Sequence, residues 1–169
     1  TLSVASDTFD PEELVRGVVT VAHSRVAEER DIEIEAPPVV PKVHGERHPL
    51  LSGPVPHDFG EAFRALRTAL VASSGTDATR LIAVTSTQPL EGKTTTAVNI
   101  ALALAIGGAR VLLIDADMRR PSLHKAMRLP NDRGLAELLG GTAKMREVVQ
   151  RCGDPNLLVI SAGHTPSNP

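Results

Sequence analysis

The 169-residue sequence has no Trp and no Tyr, and its three Phe (Phe9, Phe59 and Phe63) all fall within the first 63 positions. A chain without tyrosine cannot phosphorylate itself on tyrosine. There is a single cysteine, Cys152, so no internal disulfide can form. Cys152 also has no Cys or His partner at metal-ligand spacing, which fits a reducing compartment. The sequence has no run of 18 or more apolar residues and does not open on a basic segment followed by an apolar core. Neither a membrane span nor a secretory leader is predicted. Excess charge of one sign is missing too: a formal net charge of -2 gives no global attraction to nucleic acid or anionic lipid, and no nucleic-acid partner is expected. What remains, 41% hydrophobic and 22% charged residues, is a globular balance. Because it begins on Thr1 and ends on Ser167-Asn168-Pro169, the chain is expected to be a piece of a longer protein.

Six of the thirteen prolines lie between Pro37 and Pro56, so residues 36–57 read as an extended linker. Residues 1–35 read as an N-terminal extension. Within it Pro11 to Glu29, with Leu14, Val15, Val18, Val19, Val21, Ala22 and Val26, is expected to form one amphipathic helix. Residues 58–169 are expected to form the main domain. Asp58 with Glu61 three residues on resembles a capping box, and Phe63, Leu66 and Leu70 then fall on one helical stripe running through Val71. Leu81 to Ser86 and Arg110 to Asp115 are short apolar runs suited to strands buried on both faces. Between them Thr94 to Ile106 is apolar nearly all round and stops at Gly107-Gly108, as a helix packed on a sheet would. Leu157 to Ile160 is a third predicted strand, with short helices around Leu123 to Met127, Gly134 to Leu139 and Lys144 to Arg151. The predicted class is α/β, a P-loop NTPase-like parallel sheet flanked by helices and incomplete at the C-terminus.

The first of these strands runs through Thr87, Gln88, Pro89, Leu90, Glu91, Gly92, Lys93, Thr94 and Thr95 straight into the helix, the place for a phosphate-binding loop. Gly92 lets a phosphate approach closely, Lys93 supplies charge for the β and γ groups, and the Thr94 hydroxyl suits Mg²⁺. The first glycine of the usual pattern is replaced by Thr87. Asp115 and Asp117 sit two residues apart at the carboxyl end of the second strand, the edge of an open α/β sheet where ligands bind. One carboxylate could hold the metal while the other accepts a proton from an incoming hydroxyl.

The stretches Val84 to Thr95, Val111 to His124, Gly134-Leu135 and Ser161 to Pro169 closely resemble the bacterial tyrosine kinases of capsule and exopolysaccharide export. The resemblance runs from about Pro56 to the end. It implies that the loop carrying Lys93 is the Walker A motif and that Asp115, Asp117 and Arg119 fall on the Walker A′ motif. It further implies ATP and Mg²⁺ as cofactors, with Lys93, Asp115 and Asp117 catalytic and Thr94, Asp115 and Asp117 at the metal. Asp117 is assigned to orient or deprotonate the acceptor hydroxyl and Asp115 to support the metal, an order the residues alone leave open. Glu61, Arg64 and Arg67 match the family's E-x-x-R-x-x-R motif, which implies self-association into a ring; read as residues, they could equally be a solvated face with ion pairs. The resemblance places the complete protein at the cytoplasmic face of the bacterial inner membrane, acting on protein tyrosine beside a membrane chain-length regulator. Leu90 departs from the glycine common in the family. The family's Walker B strand and tyrosine cluster lie downstream of the stretch matched here. Two other readings stand beside the kinase: a partitioning-type regulatory ATPase, and a catalytically inert ATP-binding assembly module.

Overall fold

The computed structural model describes residues 54–72, 81–85 and 91–164, and the backbone alone at 17–21 and at 80. Strand β1 (Gly17–Val21) is followed by helix α1 (His57–Ala72), strand β2 (Arg80–Val84), helix α2 (Lys93–Ile106) and strand β3 (Val111–Asp115). Three short helices come next, α3 (Leu123–Met127), α4 (Leu135–Leu139) and α5 (Met145–Val148), and then strands β4 (Val149–Cys152) and β5 (Asp154–Ile160). The strands form one sheet in the order β2-β1-β3-β5-β4. β1, β2, β3 and β5 run parallel, and β4 closes one edge antiparallel to β5. An antiparallel edge on an otherwise parallel sheet is common in α/β folds. It corrects the expectation of a helix running on to Arg151.

A second correction concerns the N-terminal segment. The amphipathic helix expected over Pro11 to Glu29 is absent at its centre, where Gly17–Val21 is a strand. Val18, Val19, Thr20 and Val21 are four successive β-branched residues, whose restricted χ1 favours an extended chain over a helix. This strand sits between β2 and β3: Val21 pairs with Val84 on one side and with Asp115 on the other.

α2 sits on one face of the sheet and is buried on nearly every side from Ala97 to Ala105. Its side chains join Leu113 of β3, Leu157 and Val159 of β5, Leu123 of α3, and Phe59 and Phe63 of α1 in the larger core. The two rings of α1 lie 5.0 Å apart, tilted at 55°. On the opposite face Leu112 and Ile160 pack with Ala143 and Val148, backed by Leu135, Leu138 and Met145. β3 and β5 are thus covered on both faces, as parallel strands require. β2 is not: Ile82 and Val84 reach the larger core, while Leu81 is 74% exposed and Ala83 is exposed too. The expectation that this strand is buried on both faces fails because it lies at the sheet's edge, beyond the reach of α4 and α5.

Candidate functional site

α2 begins where phosphate binding needs it to. Gly92 precedes its first turn with φ +90°, a left-handed conformation that costs glycine little and other residues more. Among the described residues nothing lies within 4 Å of where a Cβ at Gly92 would be. Lys93, Thr94 and Thr95 follow, all half-buried, on a first turn whose leading N–H groups have no intrahelical acceptor. Thr87, Gln88, Pro89 and Leu90 lie outside the described residues.

β3 delivers Asp115 to the same edge, 1% exposed, and Asp117 follows it at 8%. Asp115 Oδ1 accepts the N–H of Asp117 at 3.2 Å. Its Oδ2 accepts the N–H groups of Ser122 at 3.2 Å and of Leu123 at 3.0 Å. The carboxylate thereby pulls the chain after Pro121 back onto the end of β3 and anchors the start of α3. Burial pushes its pKa above 3.8, against the pull of those three N–H donors, and the negative charge of Asp117 adds to the rise. Asp117 Oδ1 accepts the N–H of Arg120 at 3.0 Å, and its other oxygen has no hydrogen bond among the described residues. Arg119 and Arg120 point to solvent.

The two halves of the site meet through side chains. Thr94 Oγ1 lies 2.6 Å from Ser122 Oγ, and the backbone of Ser122 is bonded to Asp115. The first turn of α2, the start of α3 and the acid of β3 therefore form one connected unit. The structure places Thr94, Asp115 and Asp117 at one edge, linked through Ser122, a residue that the sequence motifs do not single out. The signal available was a serine just ahead of a short helix, a capping position. The donors gathered here are all oxygens, two hydroxyls and two carboxylates, which suits a hard divalent cation such as Mg²⁺. Among the described residues no group of three or more His, Cys, Asp or Glu side chains could hold a metal. Phosphate oxygens and water would have to complete its shell.

Beside this unit, the end of β5 is tied to the start of α4. Ile114 pairs with Ile160, so Ser161 leaves the sheet next to Asp115. Asn131 exchanges two hydrogen bonds with the backbone of Gly163, at 2.8 and 3.0 Å. Glu137 Oε2 accepts the Gly134 N–H at 2.8 Å, and Oε1 accepts that of His164 at 3.1 Å. Partial burial pushes the Glu137 pKa up, but the N–H groups of Gly134 and His164 outweigh it, and the net shift is downward. A Cβ at Gly134 would stand 2.1 Å from the Ser161 carbonyl oxygen, which explains a glycine at that position.

Glu61, Arg64 and Arg67 lie on α1, away from this edge. Glu61 and Arg64 pair with each other in solvent. Arg67 donates to the Ala103 carbonyl at 3.5 Å, about 15 Å along α2 from Lys93 at 1.5 Å per residue. The guanidinium of Arg67 is thus engaged by its own subunit. His124 lies on α3 with a buried Nδ1 that has no hydrogen-bond partner among the described residues.

Residues 82–161 match the family described as the CobQ/CobB/MinD/ParA nucleotide binding domain. Over 109 residues, 64% of its length, the chain is 39% identical to "Tyrosine-protein kinase YwqD" of Bacillus subtilis (strain 168). It spans 46% of that relative, less than half. Among solved structures, "The kinase domain of Escherichia coli tyrosine kinase ETK" is 36% identical with a TM-score of 0.61, over 66% of this chain and 44% of that one. "BceF Tyrosine Kinase Domain" is 38% identical with a TM-score of 0.55, over 66% and 44%.

Proposed function

We propose that this chain, which carries a P-loop nucleotide-binding domain of the CobQ/CobB/MinD/ParA type and is similar across it to bacterial tyrosine kinases, binds ATP with Mg²⁺ at the carboxyl edge of its sheet. Within the complete protein it serves γ-phosphoryl transfer to protein tyrosine, in the control of capsular or exopolysaccharide synthesis. The observation that carries this reading is the connection of Thr94 on the phosphate-binding turn, through Ser122, to Asp115.

The N–H groups at the start of α2 and the Lys93 ammonium would hold the phosphates. The Thr94 hydroxyl and the carboxylates would hold Mg²⁺, which when bound neutralises charge on the phosphate oxygens. The hydrogen bonds support an order for the two acids that the sequence left open. Asp115 spends its oxygens on three backbone N–H groups and so organises the site. Asp117 keeps an oxygen free among the described residues and is the better group to orient or take the proton of an acceptor hydroxyl.

The regulatory ATPase reading draws on the same family description, which names MinD and ParA. Arg119-Arg120-Pro121 after the acids favours the kinase. Ring formation through Glu61, Arg64 and Arg67, a membrane-embedded activator and a place at the cytoplasmic face of the inner membrane complete the proposal. Among the described residues no helix is long and apolar enough to cross a membrane.

Calorimetry of Mg²⁺-ATP with the chain and with Lys93→Ala tests the reading, with phosphate release and a tyrosine-bearing substrate followed in the same samples. Binding that Lys93→Ala abolishes is expected, and phosphate appearing on the tyrosine substrate identifies the kinase. Phosphate release without transfer would favour the regulatory ATPase. Absence of binding by the unaltered chain would overturn the proposal.

A further inference from the structure

We infer that Ser122 is a positioning residue for the divalent cation: its hydroxyl takes the proton of Thr94 Oγ1, leaving the Thr94 lone pairs free for the metal. The inference rests on the nucleotide-binding reading above.

A hydroxyl carries one proton and two lone pairs. To serve a cation it must offer a lone pair and send its proton elsewhere, since a proton aimed at the metal is repelled. Thr94 Oγ1 has an acceptor placed for this, Ser122 Oγ at 2.6 Å, a short separation for a hydroxyl pair. In an isolated pair either oxygen could donate, and a cation beside Thr94 selects the direction in which Thr94 donates. Ser122 can hold its place because its backbone is fixed at both ends. Its N–H is bonded to Asp115, and its carbonyl accepts the Ala126 N–H at 3.0 Å as the first turn of α3. The following residue, Leu123, is fully buried and also donates to Asp115. The Ser122 hydroxyl is therefore presented to Thr94 by a rigid support rather than by a mobile surface side chain. A serine needed only to start α3 would show no such contact with α2.

The test separates metal-linked from metal-free nucleotide affinity. ATP binding is measured by calorimetry in Mg²⁺ and again in excess EDTA, for the unaltered chain, Ser122→Ala and Ser122→Thr. The Mg²⁺-dependent gain in affinity is expected to fall about threefold to tenfold in Ser122→Ala, the size of one hydrogen bond. Affinity in EDTA should stay within about twofold, a change worth less than that hydrogen bond, and Ser122→Thr should retain the gain. Should Ser122→Ala fail to fold, Ser122→Val set against Ser122→Thr repeats the comparison at nearly constant shape. A gain in Ser122→Ala equal to that of the unaltered chain overturns the inference, as does equal weakening with and without metal. If the unaltered chain binds ATP in neither buffer, the nucleotide reading itself fails and takes this inference with it. Binding that is normal in the unaltered chain and insensitive to Ser122 refutes this inference alone.

Discussion

Replacing Asp115 tests whether that carboxylate holds the site together before any ligand arrives. It is 1% exposed and accepts backbone N–H groups from Asp117, Ser122 and Leu123. Asp115→Ala strands all three, at about 1 to 3 kcal/mol for each buried donor left unpaired. Since water can enter the space vacated, the expected loss is roughly 3 to 5 kcal/mol. Asp115→Asn is milder. Its carbonyl oxygen can keep the Ser122 and Leu123 N–H groups, but its amide then faces the Asp117 N–H, so about 2 kcal/mol is expected. The pH dependence adds a second check. Burial raises the folded-state pKa of Asp115 above 3.8, so the stability this group contributes is full below that value and is lost as pH rises through the folded pKa. The deficit of Asp115→Asn should accordingly be largest near pH 4 and shrink toward neutrality. With neither Trp nor Tyr in the chain, urea unfolding is best followed by far-ultraviolet circular dichroism, here in EDTA. A loss under about 1 kcal/mol for Asp115→Ala would refute the reasoning, because two buried donors and a half-buried one cannot be stranded so cheaply.

Gly134→Ala drives a Cβ to 2.1 Å from the Ser161 oxygen and 2.4 Å from the Gly163 nitrogen, backbone atoms that cannot swing aside. A loss of about 3 kcal/mol in urea unfolding is expected, and an unchanged midpoint would mean that the turn after β5 yields freely. Glu137 has a folded pKa below 4.5, so its contribution is present above that value and is lost as pH falls through the folded pKa. Melting between pH 3 and 6 should show an acid-side decline in the unaltered chain that Glu137→Gln flattens, and parallel curves would count against the contacts to Gly134 and His164.

The parts of the fold legible in the sequence were those fixed by neighbours along the chain. The apolar run of β3, the all-round apolar α2 ending at Gly107 and the five residues of α3 all fall close to where their local patterns put them. The errors lie where pairing with another strand, near or far along the chain, decides the outcome. Val149 to Cys152 is extended because β5 pairs with it, and Gly17–Val21 because β2 and β3 flank it. The site divides in the same way. Gly92, Lys93 and Thr94 announce themselves by order, and Asp115 and Asp117 by alternation. Ser122 does not, because its role arises only when the chain after Pro121 folds back on Asp115. The same holds for Asn131 with Gly163 and for Glu137 with His164, partners 32 and 27 residues apart.

The placement of β1 bears directly on the site. With β1 between them, the phosphate-loop strand and the acid-bearing strand stand two strand spacings apart, about 9.6 Å. Its last residue, Val21, is level with Val84, which leads into the loop, and with Asp115, which ends β3. α2 crosses from β2 to β3 over this strand, and the bond between Thr94 and Ser122 closes the arch above it. Nucleotide affinity should therefore depend on β1 although its residues were not read as part of the site. Val19 pairs with Ile82 on one side and Leu113 on the other, so Val19→Pro removes an N–H from an interior strand, where proline is not accommodated. A loss of at least about 2 kcal/mol in urea unfolding is expected, with weaker Mg²⁺-ATP binding at temperatures where the chain remains folded. A variant that keeps both stability and affinity would mean that β2 and β3 are held at their spacing by something other than this strand, and the arch from Thr94 to Asp115 would then owe nothing to the N-terminal segment.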